Sequence, residues 1–195
     1  MSRIPPLEPP YAPEIQASFD QIMPPGASPL VLFRAVATSD RAWRKFRAGS
    51  LLDRGPLSLR EREIVIDRVC ARTGCEYEWG VHVAAFAAAA RLSETEVAAT
   101  VLEDANASCW SPAETALIAA VDALDARARL TDEEFSALAM HYGDDQILEI
   151  VQLAGFYRMV AYVVGALDLP LEPDAARFPQ RAVMPPSMTS SEPVT

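Results

Sequence analysis

The stretch SLREREIVIDRVCARTGCEYEWGVH, residues 58–82, holds two helix signals separated by a reversal. Ser58 and Glu61 have the spacing of a capping box ahead of the apolar run Ile64, Val65, Ile66 and Val69, and Gly74 stands where a helix C-terminus favours glycine. The pattern predicts a helix over about 59–72. Cys75 opens a second helix, which the alanine-rich segment carries through Ala90. A tight turn at Thr73 and Gly74 folds the two into an antiparallel pair.

The same signals recur outward from this pair. Ser93 with Glu96 caps a helix ending near Asn106, Ser111 with Pro112 and Glu114 starts another, and Thr131 with Glu134 starts one more. Upstream, helical segments are expected over about 14–23, 30–37 and 41–52, closed by Pro24–Pro25 and by Gly55–Pro56. Strand and hairpin signals are nearly absent, so the expected fold is an all-α, single-domain bundle of about seven or eight helices. The expected organisation is a Pro-rich arm at 1–13, a helical domain at 14–172 and a Pro/Ser/Thr-rich tail at 173–195.

The 195 residues suffice for one core without staples. A formal charge of -10, with Lys45 the only lysine, argues against a nucleic-acid partner. Three cysteines, Cys70, Cys75 and Cys109, with no leader-like N-terminus, suit a reducing cytoplasm. The apolar stretch Ile147 to Leu169 is interrupted by Glu149, Gln152 and Arg158, and so reads as a buried or interface helix rather than a membrane span. Because it is apolar on more than one face, a homodimer or higher homo-oligomer is expected, most simply a twofold dimer.

On a helix starting near Cys75, steps of about 100° bring Glu78 and His82 within roughly 60° of that thiol, beside Trp79 and Phe86. Glu63 shares a stripe of the preceding helix with Leu59, Ile66 and Cys70. Cys75 reads either as a nucleophile whose thiol pKa a helix N-terminus lowers, or as a small buried hydrophobe. Glu78 opposes the thiolate by its own charge. His82 with Glu78 is an acid/base dyad, half of a metal site or a satisfied core pair, and one histidine with one or two acids falls short of a closed zinc site. Glu63 is a proton relay or a buried acid paired with an arginine. Tyr77 and Trp79 are packing groups or substrate contacts, and Tyr157 with Arg158 lines a pocket or an interface. His141 sits where it meets the last carbonyls of its helix.

Through Glu63 and Cys75-Glu76-Tyr77-Glu78-Trp79-Gly80-Val81-His82 the sequence resembles the carboxymuconolactone decarboxylase and alkylhydroperoxidase-like family. The likeness continues through Trp110-Ser111-Pro112-Ala113-Glu114 and Gly155-Phe156-Tyr157-Arg158-Met159-Val160, over roughly residues 30 to 172. It implies an all-helical, usually oligomeric protein with no organic cofactor. In the hydroperoxidase branch it implies a Cys-x-x-Cys pair, a histidine four residues later and an upstream glutamate. Cys75, His82 and Glu63 match these positions, and Glu78 stands where the second thiol belongs. The expected activity is thiol-dependent hydroperoxide reduction at Cys75, with a His82/Glu63 proton relay and an external thiol reductant. The alternatives are a cofactor-free lyase using His82 and Glu78 on a small organic acid or lactone, and a non-catalytic helical scaffold.

Overall fold

The computed structural model describes residues 2–180, and the remainder of the Pro/Ser/Thr-rich tail lies outside the described residues. Nine helices and no strand occur among them: α1 (Pro13–Asp20), α2 (Val31–Val36), α3 (Asp40–Ala48), α4 (Leu59–Arg72), α5 (Glu76–Phe86), α6 (Glu94–Leu102), α7 (Pro112–Arg127), α8 (Asp132–Ala139) and α9 (Asp144–Leu167). The all-α expectation is met, with slightly more and shorter helices than the sequence suggests. The capping boxes at Ser58/Glu61, Ser93/Glu96, Ser111/Glu114 and Thr131/Glu134 all form.

Helix α4 is the centre of the bundle and packs against α5, α6, α7 and α9. Every residue from Glu63 to Cys70 is buried, so this helix has no solvent face over its middle two turns. Burying Arg68 there requires partners. Its Nε and Nη2 each donate at 2.6 Å to Asp122 of α7, and its Nη1 donates at 2.8 Å to the carbonyls of Thr100 and Glu103. Those carbonyls belong to the C-terminal end of α6, which stops at Leu102 instead of running to Asn106.

Helix α5 also ends earlier than its alanines suggest. After Phe86 the chain makes one irregular turn and closes with Arg91 in the left-handed region (φ 56°), where the Leu92 N–H donates to the Ala87 carbonyl at 2.9 Å. Burial of Leu92 decides against helix propensity here. In α3 the helix stops at Ala48, because Gly49 lies against the Phe156 ring and the chain turns away. The N-terminal arm wraps the surface, with Arg3 N–H donating to Leu167 and Leu7 N–H to Arg34.

Helix α9 is long and apolar enough to cross a membrane by length and composition alone. It buries Ile147, Ile150, Leu153, Tyr157, Val160 and Val164 against its neighbours, which makes it a core helix. Its opposite face leaves Leu148 and Tyr162 each 61% exposed.

Candidate active site

The reversal between α4 and α5 fixes the thiol. Gly74 adopts φ 68°, a conformation that costs glycine nothing, while Cys75 N–H donates to the Cys70 carbonyl at 2.8 Å and Gly74 N–H to the Ala71 carbonyl at 3.2 Å. The C-terminus of α4 is thereby closed, and Cys75 is delivered as the N-cap residue of α5 rather than as part of its first turn. The pair is antiparallel, as expected, so Glu63 in the first half of α4 returns to the level of His82.

His82 Nδ1 lies 2.7 Å from Glu63 Oε2, and its Nε2 lies 3.5 Å from Glu78 Oε1. The imidazole thus bridges two carboxyl groups from two helices. Glu63 uses its other oxygen, Oε1, to accept from Arg62 Nε at 2.9 Å and Nη2 at 2.8 Å. Glu78 is less occupied, for its Oε2 is buried and has no hydrogen-bond partner. The His82 ring meets Tyr157 edge-on with centroids 5.0 Å apart and lies 5.3 Å from Phe86. Cys75, Glu78 and His82 keep only 7%, 5% and 3% of their surface exposed, so solvent reaches the rim of the group alone.

Burial pulls the His82 pKa down, but hydrogen bonds and charge from Glu63 and Glu78 outweigh it and raise the pKa to about 10. Both carboxyl groups therefore favour the imidazolium form of the ring. At Cys75 the balance runs against the thiolate: burial pushes its thiol up to about 11, the Glu78 backbone bond lowers it, and the Glu78 charge raises it further. The helix N-terminus does not win, because its pull is worth little beside desolvation of a thiolate. Tyr157 is also raised well above its ordinary value, by burial first and then by Glu78 and Glu63.

Tyr77 and Trp79, read as candidate substrate contacts, are committed elsewhere. The Tyr77 hydroxyl accepts from Leu32 N–H at 2.9 Å and donates to Glu172, while Trp79 Nε1 donates to Thr100 Oγ1 at 3.0 Å. Tyr157 does face the imidazole. Arg158 bonds Asp125 and Tyr162 instead of joining the site, and the His141 backbone N–H caps the Leu138 carbonyl of α8. Residues 172–178 lie along α5, where Ala176 N–H donates to the Gly80 carbonyl and Phe178 packs on Trp79. A side chain at Gly80 would collide with the Ala176 carbonyl at 2.2 Å, so this contact explains the glycine.

Sequence reasoning passed over Asp67. It is 1% exposed, its Oδ1 has no partner, and its pKa is pushed well above the carboxylate range by burial, with His82 opposing and Glu63 adding. Its place four residues after Glu63 on the same buried stripe was the available signal. Among the described residues no three His, Cys, Asp or Glu side chains are placed to hold a metal ion. Surface recesses of about 510 and 320 Å³, lined by residues from 94 to 109 and from 16 to 29, include none of Glu63, Asp67, Cys75, Glu78 or His82. The buried acids, the imidazole and the thiol converge away from both recesses.

The model of the carboxymuconolactone decarboxylase family matches residues 37–123, which include Glu63, Cys75, Glu78 and His82. Among curated proteins, none matches the sequence. An uncharacterized peroxidase-related protein from Silicibacter sp. TM1040 superposes with a TM-score of 0.76 at 19% identity, covering 88% of this chain and 91% of its own. The alkylhydroperoxidase AhpD core of a peroxidase-related protein from Ralstonia eutropha JMP134 gives 0.73 at 19% identity, over 89% and 93%. The debrominase Bmp8 gives 0.72 at 18% identity, over 89% and 94%. These likenesses establish a shared fold.

Proposed function

From a chain whose residues 37–123 are a carboxymuconolactone decarboxylase family segment, we propose an enzyme of cofactor-free acid/base chemistry, a lyase-type proton transfer on a small organic molecule. The observation that carries it is the Glu63–His82–Glu78 chain, with the imidazole at 2.7 and 3.5 Å from its two carboxyl groups. Raised to about 10, His82 is the general acid, and the free Oε2 of Glu78 is the base. Glu63, anchored by Arg62, orients the ring and keeps it charged. Cys75, with a thiol pKa near 11, shapes the pocket.

A second reading retains hydroperoxide reduction. It is favoured by the N-cap position of Cys75 and the bond from the Glu78 backbone that lowers its pKa. The Cys75 thiolate would attack one peroxide oxygen, the O–O bond would break, and the leaving alkoxide would take a proton from His82. Two external thiols would then return the sulfenic acid to thiol, yielding water and their disulfide. No second cysteine stands at residue 78 to do this internally.

Two assays on wild type, Cys75→Ala and His82→Ala separate the readings: solvent deuterium exchange into an unsaturated five-membered lactone, and thiol consumption driven by cumene hydroperoxide. Acid/base chemistry requires exchange that survives loss of Cys75 and vanishes with His82. Peroxide turnover that vanishes with Cys75, beside no exchange in any variant, would overturn it. A cytoplasmic homodimer using the exposed face of α9 completes the proposal, supported by Leu148, Val151 and Tyr162 standing 61%, 41% and 61% exposed on one helix. A dilution-independent monomer in sedimentation would contradict it.

A further inference from the structure

We infer that the site takes a neutral small molecule presenting an O–H or N–H group to Glu78 Oε2, and rejects organic anions. The inference rests on the acid/base reading and narrows its substrate.

The first ground is the unoccupied acceptor. Glu78 has a side chain 7% exposed, its Oε1 faces His82 at 3.5 Å, and its Oε2 is buried without a partner. A buried carboxylate oxygen left unpaired is costly, and a donor from a ligand relieves that cost with a charge-assisted hydrogen bond. A ligand carboxylate cannot do so, since it offers only acceptors.

The second ground is the disposition of charge. Arg62, the guanidinium nearest the imidazole's partner, has Nε and Nη2 on Glu63 Oε1 at 2.9 and 2.8 Å and Nη1 on the Leu52 carbonyl at 3.0 Å. Both nitrogens of His82 face carboxyl groups. The charged groups acting most strongly on Cys75 and His82 are Glu63 and Glu78 alone, and Asp67 adds another buried acid one turn along α4. An entering anion would lose its hydration opposite Glu78 and find its nearest cations already engaged. The aromatic groups beside the imidazole are Tyr157 and Phe86, with ring centroids 5.0 and 5.3 Å away, and Phe156 packs 5.4 Å from Tyr157, so the surroundings suit an apolar body. Enols, phenols, alcohols and azole N–H compounds fit this set.

Binding of matched probes tests the selectivity without turnover. Phenol, benzyl alcohol and benzoate are titrated at pH 7 into the full-length wild type, Glu78→Leu and Glu78→Gln, read by the His82 imidazole proton–nitrogen resonances and by calorimetry. Phenol and benzyl alcohol should saturate, with benzoate at least about tenfold weaker, a gap that one charge-assisted hydrogen bond supplies. Glu78→Leu should weaken the alcohol about tenfold and narrow its lead over benzoate. Glu78→Gln, which keeps the shape and one acceptor, covers the case in which the leucine variant fails to fold; it should narrow that lead too. Benzoate binding as tightly as benzyl alcohol, no binding of any probe, or an unchanged preference in both variants would each overturn the inference. The readout is affinity, so a failure here leaves the exchange assay on the Cys75 and His82 variants to judge the acid/base reading by itself.

Discussion

Two buried polar clusters lie along the same helix, and they are built to different rules. At Arg68 the guanidinium has four bonds of 2.6 to 2.8 Å, to both oxygens of Asp122 and to two carbonyls at the end of α6. Around Glu63 the bonds among the arginine, acid and imidazole are equally short, but the cluster leaves Glu78 Oε2 and Asp67 Oδ1 without partners. A group that holds a fold together is satisfied by the fold. Native structures tolerate few such unsatisfied oxygens, and that sets the second cluster apart and motivates the function proposed for it.

The sharpest way to break the comparison is to remove one member of each cluster. His82→Gln should lower turnover by a factor of about 10² to 10⁴, the usual worth of a positioned acid/base group, and it also leaves two buried carboxyl groups without their cation. Arg68→Met should spare turnover and cost stability alone. It strands Asp122 and two carbonyls, and urea unfolding should show a loss of roughly 3–5 kcal/mol. A double variant, Arg68→Met with Asp122→Leu, should recover part of that loss.

The pH dependence of stability has a definite sign. His82 is raised in the folded chain from its ordinary 6.5 to about 10, so its stabilisation is complete below about 6.5 and is lost as pH rises through 10. Denaturation midpoints should fall over that window, and His82→Gln should flatten the slope. The smallest effect is expected at Glu78. Replacing it with leucine removes an unsatisfied buried oxygen but also the Oε1 that faces the imidazole, so the two changes offset and stability should stay within about 1 kcal/mol of the wild type. A loss as large as that of Arg68→Met would show that the two clusters are alike after all.

Much of this contrast was legible in the sequence, for reasons that differ by residue. Local signals carried the α4–α5 reversal: a capping box at Ser58 and Glu61, and a glycine at the one position needing a left-handed backbone. Helical periodicity then put Glu63, Glu78 and His82 together, and would have delivered Asp67 too had its spacing from Glu63 been pursued. The surroundings of the thiol were less legible, because helix position is local, whereas burial depends on what the remaining elements lay over Cys75. Tyr77 and Trp79 were opaque in the same way. Their partners, Glu172 and Thr100, come from segments that no short-range pattern links to α5. The early ends of α5 and α6 followed from Leu92 burial and from Arg68 capping carbonyls, both tertiary effects that override propensity.

The charge of His82 is the hinge of the whole reading, and nitrogen-15 spectroscopy of the imidazole measures it directly. At pH 7 both ring nitrogens should show protonated shifts, with titration only well above 6.5, toward 10. A ring that is a neutral tautomer at pH 7, with one bare nitrogen and a midpoint near or below 6.5, would contradict a general acid held between Glu63 and Glu78.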